Sequence, residues 1–207
     1  MQWARDGEFA SVSTIFCHTG WYSLWHDRTT EEWHIRRRLV QFWRRQEGTT
    51  IHTQFRVISQ SEWSASQSSI VISCVFWEEK KSCYITSVDI IYLLEALVGI
   101  HFTVEEKNRI RRNLEGFRPI TIDKSKPDTE NFFGQIMNLP NPRPRNIEKN
   151  VKVYAWDCLE AALQKIIGKY VSVNQSFSHV SRAHHLYFNR ECSLQAFLLP
   201  RPARWSR

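Results

Sequence analysis

Glycine is scarce in this chain: seven in 207 residues, and they form neither a Walker loop nor a GxGxxG fingerprint. A nucleotide enzyme that cradles phosphate on glycine backbone is therefore not expected. The five cysteines, Cys17, Cys74, Cys83, Cys158 and Cys192, are odd in number and widely spaced, with no CxxC. That usage argues against a disulfide framework and fits reduced, mostly core thiols of an intracellular protein. No apolar run approaches ~20 residues, so no membrane span is expected. The opening MQWARDGEFASVSTIFC lacks the basic-then-apolar order of a secretory signal. Cys17, His18 and His26 could be drawn together as metal ligands, but no second pair has usable spacing. His184 and His185 stand alone, and no nucleophile elbow occurs. Asp89 and Glu95 lie on a mostly apolar helix, where capping and a solvent edge explain them. No catalytic residue, metal, cofactor or small-molecule substrate is expected.

What the chain has is aromatic bulk and positive charge. Hydrophobic residues make up 42%, with twelve Phe and nine Trp, enough for a packed core. The net charge is +7, which favours an acidic partner such as nucleic acid.

Residues 1–29 show no clean period. From Thr30, with Glu31 and Glu32 in the first turn, TEEWHIRRRLVQFWRRQ reads as a helix ending near Gly48. On it, Ile35, Leu39, Val40, Phe42 and Trp43 share one arc, and Arg37, Arg38, Arg44 and Arg45 share the opposite one. Alternation over 51–57, the apolar run IVISCVFW (70–77) and SCYIT (82–86) after a charged turn predict a small antiparallel sheet of about three strands. The rest reads as a helical half of about four short helices. Ser87 caps VDIIYLLEALV. Thr103 and Glu106 form a capping box for VEEKNRIRRNLE, with Val104, Ile110 and Leu114 inward. Pro127 opens a helix with Phe132 and Phe133, LPNPRPR is an extended basic loop, and KVYAWDCLEAALQKIIGKY is a last amphipathic helix. The fold class is α+β over residues 30–170. Residues 171–207 have no period and read as a disordered tail or translated intron, since Val171-Ser172 is what an intron start would encode.

Eleven Lys and Arg lie between Lys107 and Lys152. On the second helical-half helix Arg109, Arg112, Asn108 and Asn113 face outward, with Lys107 and Arg111 on the flank. Arginine matches guanine and asparagine matches adenine, so this face has the residue types of a recognition helix. Arg118, Lys124, Lys126, Arg143, Arg145, Lys149 and Lys152 would fix register on phosphates. Each cluster also has a plainer explanation as a solvated face or internal ion pairs.

RRRLVQFWR, YITSVDIIYLLEALVG, FTVEEKNRIRRNLEGFRPIT, KPDTENFF, PNPRPRNIEKNVKVYAW and LQKIIGKY together resemble the domain of fungal Medusa-type developmental regulators, over roughly residues 30–170. The resemblance implies a nuclear protein in transcriptional control of sporulation, with no enzymatic activity. Sequence and resemblance together give DNA as the expected partner, held mainly by phosphate neutralisation. If about six side chains meet phosphates, the log-log salt slope is about −5. The rival expectation is a module that docks other transcription factors through exposed Trp and Phe. A single-strand binder would instead use a sheet face with Phe55, Trp77 or Tyr84.

Overall fold

Thr29 starts the first element. Its hydroxyl accepts from Glu32 N at 3.2 Å, and the Glu32 carboxylate accepts from Thr29 N at 2.8 Å. This capping box opens helix α1, Thr30–Ile35, in the computed structural model, which describes residues 28–47, 50–64, 69–144, 147 and 150–174. The chain divides into two units, residues 1–171 and 172–207. Of the second, only residues 172–174 are described, as the end of a helix.

The expected arginine-rich helix does not form. Helix α1 stops at Ile35, Arg36 takes a left-handed backbone (φ 51°), and Arg37–Glu47 is strand β1. The stretch fits period 2 as well as period 3.6, with Arg37, Leu39 and Gln41 on one face and Arg38, Val40 and Phe42 on the other. All six are buried. Tertiary pairing decides between the two periods. β1 is flanked by β2 (Thr50–Ile58) from Leu39↔Ile58 to Glu47↔Thr50, and by β3 (Ile70–Trp77) from Arg37↔Val75 to Phe42↔Ile70. A strand with neighbours on both sides and packing on both faces reads as a continuous apolar run, which an amphipathic helix mimics.

Strand β4 (Ser82–Thr86), helix α2 (Ser87–Val98) and helix α3 (Val104–Leu114) follow. Then come β5 (Ile120–Asp123), α4 (Pro127–Met137), β6 (Asn150–Ala155) and α5 (Leu159–Asn174). The sheet is antiparallel and has six strands, in the order β2-β1-β3-β4-β6-β5, where about three were expected. The architecture is α+β. β6 occupies the start of what read as the last helix: Val151 and Val153 are buried alternately, and a 3-10 turn at Trp156–Cys158 leads into α5. β5 has four residues, too few for a period to show.

Helices α2, α3 and α5 pack on one face of the sheet. There Ile90, Leu94, Ile110, Leu114, Leu163 and Ile167 meet Val40, Phe42, Ile72 and Ile85. Helix α4 covers the other face with Phe132, Phe133 and Ile136 against Val75, Trp77, Ile122 and Val153. Trp77 and Phe132 stack with centroids 4.3 Å apart. Burying one such aromatic side chain contributes about 3 kcal/mol.

The capping box at Thr103 and Glu106 forms as expected, and Ile110 and Leu114 point inward. Val104 does not: it is 70% exposed, at the first position of α3. Gly99 ends α2 with φ 79°, and a Cβ there would lie 2.6 Å from Arg44 Nη1. The backbone angle favours glycine there, whereas the close approach is to the tip of a flexible side chain that can move aside.

Candidate nucleic-acid interface

The β1 arginines all meet partners within the chain, most of them away from solvent. Arg37 is 1% exposed. Its Nη1 donates to the carbonyls of Pro140 and Pro142 at 2.7 Å each, and its Nη2 donates to Gln60 Oε1. Gln60 in turn donates to the Asn141 carbonyl at 2.5 Å. Arg37 thereby pins the proline-rich loop after α4 onto the sheet. Burial lowers its pKa to about 10, against the pull of Asp89. Asp89 is itself pushed up to about 7 by burial, although Thr86 and Arg37 draw it down.

Arg38 is 4% exposed and forks onto Glu32 at 2.7 and 2.8 Å. Burial raises the Glu32 pKa, but the Arg38 and Thr29 hydrogen bonds outweigh it, and the carboxyl sits below its ordinary value. Arg44 donates to Gln46 at 2.6 Å and lies against Gly99. Arg45 is exposed and pairs with Glu47 at 2.6 Å. Strand alternation splits these four, Arg37 and Arg45 to one side of the sheet and Arg38 and Arg44 to the other.

Helix α3 is different. Ile110 and Leu114 anchor it, which turns Arg109 and Arg112 to solvent. Neither guanidinium has a hydrogen-bond or ion-pair partner among the described residues. Two lysines of helix α5 reach the C-terminal end of α3. Lys169 Nζ donates to Asn113 Oδ1 at 2.9 Å, and Lys165 Nζ lies 3.4 Å from where a Gly116 Cβ would be. Lys165 also sits over the Phe117 ring at 5.1 Å. Arg111 donates to Asn108 Oδ1 at 2.9 Å.

Arg109, Arg111, Arg112, Lys165 and Lys169 therefore meet amides, a ring or water, and none is ion-paired to a carboxylate among the described residues. Uncompensated cations on adjoining helices sum to a positive potential that attracts polyanions. The flanking cations are paired: Lys107 with Glu95 at 3.0 Å, and Lys152 with Glu115.

Arg118 is exposed with a left-handed backbone (φ 52°) just beyond the 3-10 turn that ends α3. Lys124, Lys126 and Arg143 are exposed in the turn before α4 and the loop after it. Since α4 packs on the sheet face opposite α3, these three are not gathered onto the α3–α5 surface. Arg145 and Lys149 lie outside the described residues, as do Cys17, His18, His26, His184 and His185.

Lys165 and Lys169 were missing from the expected contacts. Their signal was present as two lysines four residues apart with no acid between them, on a helix whose apolar face faces the core. What hid them was the distance in sequence from α3. The sheet face proposed for single strands is occupied: Trp77 and Tyr84 are buried beneath α4.

A cleft of about 520 Å³ beside α1 is lined by Glu31, Glu32, Arg37, Gln60 and Glu62. Except for Glu31, these groups bond to one another or to Arg38 and Arg56, so they do not converge on an empty centre. Cys74 and Cys83 are buried free thiols, and Cys158 is a half-buried one. Among the described residues no three His, Cys, Asp or Glu side chains are grouped to hold a metal ion. Among those residues too, no helix is long and apolar enough to cross a membrane.

No curated protein and no solved structure matches the chain. Residues 12–167 match the family described as a domain of unknown function, DUF7082, and the chain belongs to that family.

Proposed function

We propose that this protein is a nuclear regulator of transcription in fungal development, associated with DNA through the surface that α3 and α5 form together. The carrying observation is that Arg109, Arg112, Lys165 and Lys169 adjoin one another without a carboxylate partner among the described residues. Such a cluster is costly to hold together by self-repulsion and gains most from a polyanion that replaces its counterions. The regulatory role and the nuclear location rest on the resemblance to Medusa-type regulators.

With four phosphate contacts, log Kd against log salt has a slope of magnitude about 3.6, smaller than six contacts give. The test is a titration of a random-sequence duplex with the full chain and with the Arg109→Glu/Arg112→Glu double variant. Tight, salt-sensitive binding that the double variant loses supports the proposal. Equal binding by a folded double variant, or no binding at low salt, removes it.

A protein-docking function is the alternative. Trp43 favours it, being 43% exposed on the α4 side of the sheet but outside the cluster that α4 buries, with Arg56 over its ring at 5.7 Å. Salt-tolerant capture of a transcription factor, abolished by Trp43→Ala and indifferent to Arg109, would support this alternative instead.

A further inference from the structure

Cys74 on β3 and Cys83 on β4 point to the same face of the sheet, into the core beneath α2 and α5. Phe76 pairs with Cys83 across the ladder, which makes Cys74, two residues earlier, its diagonal neighbour. The Arg28 guanidinium lies over the rings of Trp33 and Phe76, at 5.3 and 5.5 Å, and its Nη2 donates to Cys83 Sγ at 2.7 Å. The Cys74 thiol donates to the same sulfur, and Arg38 adds a second positive charge against one carboxylate, Asp157.

The described thiols therefore divide. Burial pushes Cys74 up, and it pushes Cys158 up to about 11. On Cys83 the Cys74 hydrogen bond and the two arginines outweigh burial, and its pKa sits below the ordinary thiol value. Thiolate character is what makes a cysteine nucleophilic.

The same guanidinium carries an unused donor. Arg28 Nη1 is buried and has no hydrogen-bond acceptor among the described residues. Since Nη1 and Nη2 belong to one planar fork, an oxygen attached to Cys83 Sγ comes within reach of Nη1 while Nη2 stays on the sulfur. Arg28 is partly exposed, so the shift of one flexible side chain opens the sulfur to a small solute.

We infer that Cys83 is an oxidation site, at which a hydroperoxide converts the sulfur to a sulfenic acid held by the Arg28 fork. The thiolate lone pair attacks the terminal hydroxyl oxygen. An S–O bond forms as the O–O bond breaks, and the bonding pair leaves on the other oxygen, which takes up the proton that Cys83 released on ionising. Sulfur is oxidised, and the hydroperoxide is reduced to an alcohol, or to water from hydrogen peroxide. Diagonal strand neighbours stand about 7–8 Å apart, beyond the roughly 4.4–6.8 Å that disulfides span between Cα atoms, so the product is the sulfenic acid and not a Cys74–Cys83 disulfide. This inference does not depend on DNA association.

The test is brief exposure of the full folded chain to hydrogen peroxide in excess dimedone, which traps sulfenic acids, read at each cysteine by mass spectrometry. Cys83 should gain the adduct about tenfold or more faster than Cys74 and Cys158. Arg28→Ala should slow that adduct about fivefold or more, and Arg28→Lys, which keeps the charge but not the fork, about twofold or more. An adduct on Cys83 that forms no faster than on Cys74 or Cys158 overturns the inference. So does an Arg28→Ala protein with the parent's circular dichroism that reacts at the parent's rate, or a Cys74–Cys83 disulfide formed without trapped adduct.

Discussion

Arg37 and Arg109 carry the same guanidinium in opposite surroundings. Arg37 is sealed beneath a loop with three acceptors aimed at it, and a buried carboxylate, Asp89, acts on its charge. Arg109 stands in solvent on a helix whose neighbours are also cationic. The first is part of the architecture: a buried charge is costly unless hydrogen-bonded, and three acceptors meet its Nη groups while its Nε has no partner among the described residues. The second adds little to folding and leaves its full charge available to a partner. A count of arginines cannot separate these cases; the placement of acceptors and carboxylates does.

The sharpest way to break the comparison is to remove Arg37. Arg37→Ala strands three acceptors and leaves Asp89 without its counter-charge. The expected loss is about 3–5 kcal/mol of unfolding free energy in a denaturant titration. A loss under about 1 kcal/mol would show that the loop does not depend on it.

Asp89 gives a pH signature of the same region. Its folded pKa, about 7, lies above its ordinary value, so the folded state binds the proton more tightly than the unfolded chain. Its destabilising effect is therefore full above pH 7 and fades as pH falls toward 4. Stability should rise on acidification from pH 7 to 5, by an upper limit of about 3 kcal/mol. Asp89→Asn should flatten that rise. Below that window Glu32 acts with the opposite sign: its pKa is lowered, so its contribution is lost as pH falls through the folded value.

On the other side of the comparison, Arg112→Ala should leave unfolding free energy within about 0.5 kcal/mol of the parent. It should weaken duplex binding about five- to tenfold. A large stability loss would place Arg112 in the architecture after all. The smallest effect belongs to Arg45, exposed and paired with Glu47. Arg45→Ala should change stability by less than about 0.5 kcal/mol, and duplex binding by less than twofold.

Much of the fold is legible where local signals are strong. Thr103 with Glu106, Pro127 before two phenylalanines, and the apolar runs 70–77 and 82–86 each specify an element by short-range chemistry. Residues 37–47 mislead because a central strand with both faces packed carries apolar and arginine residues at spacings that also suit a helix. β6 misleads for a related reason: its alternating valines run directly into a helical sequence with no glycine or proline between them. The candidate site is legible in half. Arg109 and Arg112 follow from the inward turn of Ile110 and Leu114, whereas Lys165 and Lys169 join them only through packing of α5 on α3.

The direct test is the salt slope of duplex binding for three forms of the chain: the parent, Arg109→Ala/Arg112→Ala, and Arg45→Ala/Arg56→Ala. The parent slope should have a magnitude of about 3.6, falling by about two in the first double variant and unchanged in the second. Equal slopes in all three folded proteins, or a drop confined to the Arg45 and Arg56 variant, would contradict the assignment of the uncompensated cations to DNA.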